Sequence, residues 1–134
     1  MNANLQKSSF VPTLIIPSGT FSIDFYNYAF GAVTLRHWNN EDGSIHVAEL
    51  LIGEAMFRLH EENPSKGAIA PVKNNSFTAI IGITVDHVDN AMAKVISSGA
   101  ILISPAQDYD YGYRQGEVMD PFGHHWMIEQ ALVK

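Results

Sequence analysis

Glu49 and Arg58 are the pair of residues whose types and spacing most directly suggest chemistry in this sequence. Between them lies Gly53-Glu54, a glycine-first pair of the kind that closes a two-residue hairpin, here joining strands over residues 44–52 and 55–60. A turn of that length sets the register. Ile52 then opposes Ala55, Leu50 opposes Phe57 and Ala48 opposes Leu59 on one face, while Leu51 with Met56, Glu49 with Arg58, and Val47 with His60 share the other. A carboxylate thus faces a guanidinium. Two readings stand: a cross-strand ion pair that neutralises itself, or an arginine that binds an anionic ligand while Glu49 orients its fork. Buried in a cavity without a role, such a pair would carry a desolvation penalty on the order of several kcal/mol.

The C-terminal run QGEVMDPFGHHWMIEQ holds a second group. Asp120-Pro121-Phe122-Gly123 has the composition of a type I turn, with an Asx side chain first, proline second and glycine fourth. The strand that follows alternates, with Trp126 and Ile128 on one face and His125, Met127 and Glu129 on the other. His60 and His125 are placed to act as acid or base, since imidazole titrates near neutrality, or else to be polar strand-end residues. The vicinal His124-His125 pair points to opposite faces and does not chelate jointly. His37, His46 and His87 read as structural or solvent-exposed. The stretch 105–115 carries Tyr109, Tyr111, Tyr113 and Arg114; it reads as a polar surface loop, or as a lid whose Tyr111 and Arg114 close over a flat ligand.

These residues need a scaffold, and the sequence describes one. Residues 10–16 read as a strand and 20–30 as an amphipathic helix closed by Gly31, followed by strands at 33–39, 44–52 and 55–60. Residues 61–76 are a connector rich in proline and polar side chains. The order then repeats: a strand at 77–85, a helix at 90–98 with Asp89 as N-cap and Gly99 as its exit, a strand at 100–104 and the closing hairpin. Gly31-Ala32 and Gly99-Ala100 are equivalent exits 68 positions apart. The expectation is an α+β fold of two β-α-β-β-β modules, about 10–60 and 77–131, within a single domain.

Composition narrows the partners. The chain has 134 residues, 46% of them hydrophobic, enough for one core. Eight basic against fourteen acidic residues give a net charge of -6, with the three arginines dispersed, which argues against nucleic acid. No cysteine is present, so no disulfide, thiolate metal site or cysteine nucleophile is expected. The start MNANLQKSS lacks the apolar core of a signal peptide, and no run is long enough to span a bilayer. A cytoplasmic location is the expectation.

The segments SIDFYNYAFGA, AELLIGEAMFRL and GYRQGEVMDPFGHHWMIE together resemble the glyoxalase, bleomycin-resistance and dioxygenase superfamily, particularly its PhnB-like branch, over roughly residues 10–130. The resemblance implies paired modules forming a concave mixed sheet around a cavity, with helices on the outer face, usually as homodimers. Metal-dependent members carry His, Glu or Gln at four positions that fall here on Val11, Arg58, Ile80 and Met127, none an ordinary ligand for a divalent ion. No cofactor and no metal are therefore expected. The function this supports is binding of a small anionic or polar-aromatic molecule around Glu49 and Arg58, flanked by His60, His125, Met127 and Glu129. The alternative is a lyase, isomerase or dioxygenase-type enzyme using a non-standard metal or a His/Glu acid–base set. Nothing resembles a glycine-rich S-adenosylmethionine loop.

Overall fold

Period-two burial organises two sheets, and a helix covers one face of each. In the structure, a computed structural model that describes residues 7–132, the first module runs β1 (Thr13–Ile16), α1 (Asp24–Phe30), β2 (Val33–Asn39), β3 (Ile45–Ile52) and β4 (Ala55–Glu61). A connector carrying the short helix α2 (Pro71–Asn74) leads to the second, which runs β5 (Ile80–Thr84), α3 (Val88–Ser97), β6 (Ile101–Tyr109), β7 (Tyr113–Met119) and β8 (His125–Ala131). Sheet orders are β1-β4-β3-β2 and β5-β8-β7-β6, with β1 parallel to β4, β5 parallel to β8, and the other pairs antiparallel. The two modules are β-α-β-β-β units of the same topology, and the fold is α+β. Leu14, Ile16, Leu50 and Leu59 are buried toward the helix, whereas Thr13, Arg58 and His60 lie on the opposite, open face. The β3–β4 register pairs Glu49 with Arg58, Val47 with His60 and Leu51 with Met56, as the two-residue turn dictates.

Several boundaries differ from those read off the sequence, each for a physical reason. Helix α1 begins at Asp24 instead of residue 20, because the Thr20 carbonyl accepts the Ile45 amide at 2.8 Å and is drawn into a sheet contact. The cap of α3 is His87 rather than Asp89; Gln130 accepts the Val88 amide at 2.7 Å, and Asp89 pairs instead with Arg114. Strand β1 starts at Thr13 and β5 at Ile80, later than expected. The stretch 105–115 is not a loop: β6 continues through Pro105 to Tyr109 and turns into β7. Proline has no N–H to donate, but β6 is an edge strand and its pairing shifts register between Ser104 and Gln107, which absorbs the defect.

The connector is also more ordered than its composition suggests, with a 3-10 turn (Pro64–Lys66) ahead of α2. Glu62 fastens it by accepting the Ser18 and Ala70 amides, at 3.2 and 2.9 Å, and lying 3.4 Å from the Lys73 ammonium. These hydrogen bonds and the nearby ammonium hold the Glu62 carboxyl below its usual range. Val72 N–H then donates to the Phe122 carbonyl at 3.2 Å, so α2 lies on the D-P-F-G turn.

One core joins the modules, and its polar centre is Asp120, 1% exposed. Oδ1 accepts the amides of Phe122 and His124 at 2.9 and 3.0 Å and shapes the turn; Oδ2 accepts the Tyr26 hydroxyl and, at 3.0 Å, Trp126 Nε1–H. Tyr26 in turn packs against Phe57 and Trp126, ring centroids 5.5 and 6.0 Å apart. Burial first, then the Asp120 charge and hydrogen bond, push the Tyr26 phenol well above its ordinary value. Asp120→Ala leaves a buried hydroxyl and indole N–H without acceptors and is expected to lower stability by about 3 kcal/mol or more in urea unfolding, with Tyr26→Phe costing about 1–3 kcal/mol. Because the phenol's pKa is raised on folding, its contribution is intact below pH 10.0 and is lost as pH climbs from there toward the folded value. Tyr26→Phe should flatten that alkaline decline; a variant that kept the decline at full steepness would contradict the assignment.

Candidate functional site

On the open face of the first module, Glu49 is held between two arginines rather than one. Its Oε1 accepts Arg36 Nε–H at 2.6 Å and its Oε2 accepts Arg58 Nε–H at 2.7 Å. The carboxylate side chain is 7% exposed, against 67% for Arg36 and 39% for Arg58. Hydrogen bonds from Arg58 and then Arg36 hold the Glu49 carboxyl below its usual range, so it is ionised at neutral pH and the group carries one net positive charge. Both guanidinium groups are engaged with Glu49 through Nε, and among the described residues their terminal Nη donors make no hydrogen bond. Arg36 also lies over the Trp38 ring, 5.6 Å from its centroid. The arrangement is a carboxylate bridged by two guanidinium groups, with one positive charge left over.

His60 lies two residues beyond Arg58 on the same face. Its Nδ1–H donates to the Glu61 carbonyl at 2.6 Å, and its ring meets His46 edge to face with centroids 5.1 Å apart. His46 in turn contacts Glu61 Oε2 at 2.6 Å. The second module's open face holds His125, Met127 and Glu129 on β8, across from Met119, Glu117 and Gln115 on β7. Glu129 Oε1 accepts Gln115 Nε2–H at 2.7 Å, and Gln115 Oε1 accepts the Tyr111 hydroxyl. His125 Nδ1 is 2.6 Å from Glu117 Oε2. Arg114 belongs elsewhere: its donors go to Asp89 at 2.9 Å and Asp108 at 3.0 Å, on the helix side of β7. Tyr111 occupies the β6–β7 turn, 64% exposed and stacked on Tyr109.

A cavity of about 820 Å³ opens between the modules, lined mainly by Pro12, Leu14, Met56, Phe57, the whole of β5, and Trp126. None of the eight residues singled out from the sequence lines it. Arg58 is not among its lining residues; Met56, two residues along β4 on the same face, is, and the Arg58 amide donates to the carbonyl of Pro12, also in the lining, at 2.9 Å. The polar end of Trp126 is turned away to Asp120, so the ring presents hydrocarbon. This volume falls within the range of small-molecule sites.

Two residues escape a reading of the sequence. Arg36 reaches Glu49 only because β2 carries a register shift between Thr34 and Arg36, which no local pattern announces. Glu117 is placed beside His125 by the D-P-F-G hairpin, whose register the turn residues do encode, yet the contact is diagonal: His125 lies directly opposite Met119. For a divalent metal, the donor set does not fit. Thr13, Arg58, Ile80 and Met127 are what the open faces of β1, β4, β5 and β8 present near the expected positions, and no group of three or more His, Cys, Asp or Glu side chains among the described residues is placed to hold an ion.

The comparisons agree with this architecture. Residues 13–128 match the family model described as the glyoxalase/bleomycin resistance protein/dioxygenase superfamily. An uncharacterised protein of Mycobacterium bovis is 32% identical over 124 residues, spanning 90% of this chain and 82% of that one. Among solved structures, TioX from Micromonospora sp. ML1 superposes with a TM-score of 0.68 at 23% identity, covering 95% of this chain and 98% of its own. The fosfomycin resistance protein FosX from Mesorhizobium loti gives 0.64 at 14% identity, covering 96% and 95%. At these identities the two structures speak for the fold alone, whereas the family match spans both modules and the strands that carry Arg36, Glu49 and Arg58. The chain belongs to the glyoxalase/bleomycin resistance protein/dioxygenase superfamily.

Proposed function

We propose that this protein binds a small amphiphilic anion, its charged end on Arg36 and Arg58 and its apolar body in the intermodule cavity. The observation that carries the reading is the clamp: one nearly buried carboxylate holding two guanidinium groups by Nε, with their Nη donors unbonded among the described residues. A pair that merely neutralised itself would need one arginine, not two. The second arginine leaves one positive charge unspent beside an apolar chamber, which suits a planar carboxylate or phosphonate on an aromatic or alkyl body. Arg58 takes the place of a metal ligand, supplying fixed positive charge without Lewis acidity. The helix SIDFYNYAFGA and the D-P-F-G turn support placing the chain in the PhnB-like branch of the family, and the absence of cysteine suits a reducing cytoplasm.

The functional unit in this reading is a homodimer. Strands β2 and β6 are the outer edges of their sheets, and both start with exposed apolar residues: Val33 and Leu35 on one, Ile101, Leu102 and Ile103 on the other. Unpaired backbone beside apolar side chains is the usual setting for association, and the internal repeat makes the two edges equivalent. Sedimentation at micromolar concentration is expected to give twice the mass of the chain; a monomer would refute the dimer.

Naphthoate and its uncharged amide, naphthamide, test the clamp by calorimetry. Naphthoate is expected to bind more tightly, Arg58→Ala and Arg36→Ala are each expected to weaken it by about 1.5–3 kcal/mol, and Arg58→Lys should recover part of the loss because the ammonium lacks the guanidinium fork. Naphthamide binding should change little in the same variants. Equal affinity of wild type and Arg58→Ala for naphthoate would remove the clamp from the function.

A further inference from the structure

The second module holds a histidine whose two ring nitrogens are treated differently. His125 Nδ1 is 2.6 Å from Glu117 Oε2, with side-chain exposures of 9% and 15%. Phe77 stacks on the imidazole with centroids 3.5 Å apart and planes 14° from parallel. In the neutral imidazole, with Glu117 accepting, Nδ1 carries the hydrogen and Nε2 the lone pair. Among the described residues Nε2 meets no hydrogen-bond partner, and it is not sealed from solvent, since no buried side-chain nitrogen or oxygen lacks a partner. His60 differs: its Nδ1 is held by a backbone carbonyl, which orients the ring but places no negative charge behind it.

The surroundings specify what could meet that nitrogen. Ile80 is paired with His125 across β5 and β8, and Gly82 with Met127; a side chain at Gly82 would meet nothing within 4 Å, so the strand leaves open space beside Met127. Met119 faces His125 from β7. The charged neighbours on this face, Glu117 and Glu129, are both acidic, and Arg114 is engaged by Asp89 and Asp108 on the other side of the sheet. An anion is repelled here and an uncharged molecule is not. We infer that His125, positioned by Glu117, is a general base that takes a proton from a neutral carbon acid seated over Gly82 and Met127. In that step the C–H bond breaks toward Nε2, the imidazole becomes an imidazolium whose Nδ1–H remains on Glu117, and the electron pair stays with the substrate to form a new π bond and expel its leaving group. The ring then returns the proton to water. This site uses neither Glu49 nor either arginine of the clamp, although Ile80 and Gly82 also line the intermodule cavity, so the base and the clamp can fail separately.

Nitrobenzisoxazole is a suitable probe, being neutral and aromatic: removal of its ring C–H forms a nitrile as the N–O bond breaks, releasing a coloured cyanonitrophenolate without any co-reactant. The full-length protein is expected to convert it faster than free imidazole at equal concentration. His125→Ala should lower kcat/KM about a hundredfold, in the range for a positioned base, and Glu117→Gln about tenfold or more, since a carboxamide no longer fixes the tautomer. His37→Ala, on an exposed ring hydrogen-bonded to Asn39, should change nothing. Nitrogen NMR on the unaltered protein gives a readout that survives a misfolded variant: in the neutral imidazole of His125, Nδ1 is protonated and Nε2 bare, becoming a mixture of tautomers in Glu117→Gln. A wild-type rate no greater than that of imidazole, an undiminished rate in His125→Ala, or a bare Nδ1 would each overturn the inference.

Discussion

A single buried carboxylate holds this molecule to one arrangement. Asp120 has to be surrounded by donors to remain inside, and the four that satisfy it come from three places: the turn it begins, the strand after that turn, and helix α1 of the other module. Each donor imposes a constraint. The two amides shape the D-P-F-G reversal, which sets the register of β7 on β8 and hence which residues share their open face. The indole fixes Trp126 as a wall of the intermodule cavity. The Tyr26 hydroxyl fixes the distance between α1 and the second sheet, because any separation of the modules would leave that carboxylate and phenol facing an apolar gap. Hydrophobic contact alone would permit the modules to slide; this polar node does not.

The same logic, applied at the surface, distinguishes the two open faces. Glu49 on the first is satisfied by two guanidinium groups and would be poorly stable without them, yet the pair of arginines exceeds what one carboxylate needs. On the second face the excess has the opposite sign, with Glu117 and Glu129 and no cation among the described residues to balance them there. Two modules of one topology, built from the same repeat, have thus diverged into faces of opposite charge. Symmetric backbones with asymmetric side chains bring a cationic cluster and an acidic face into one protein.

Local rules make a good part of this legible. The Gly53-Glu54 turn encodes the pairing of Glu49 with Arg58, since a two-residue loop admits one register, and the glycine exits at 31 and 99 reveal the repeat because both require a left-handed residue, with φ of 67° and 124°. Alternation along β8 separates Trp126 from His125 through residue order alone. What stays hidden is long-range or irregular. Arg36 depends on a bulge, His125 meets Glu117 on a diagonal, and the strand through Pro105 defies the ordinary meaning of proline, which depends on whether its missing N–H faces a neighbour or solvent. The start of α1 is obscured for a related reason: Thr20 has a capping side chain, but its carbonyl is claimed by Ile45, distant in sequence.

The closeness of Gly123 to the connector has a bearing on how this chain can vary. A β-carbon at that position would come within 2.3 Å of Val72 N, and its φ of 96° is already one that other residues resist. The segment between the modules is therefore not a tether whose length can drift; it is a keystone laid across the very turn that holds the cavity wall. Insertions, tags or split points introduced into the linker would be felt at Trp126. In a duplicated architecture the join between copies is usually the easiest place to edit, and here it is among the hardest.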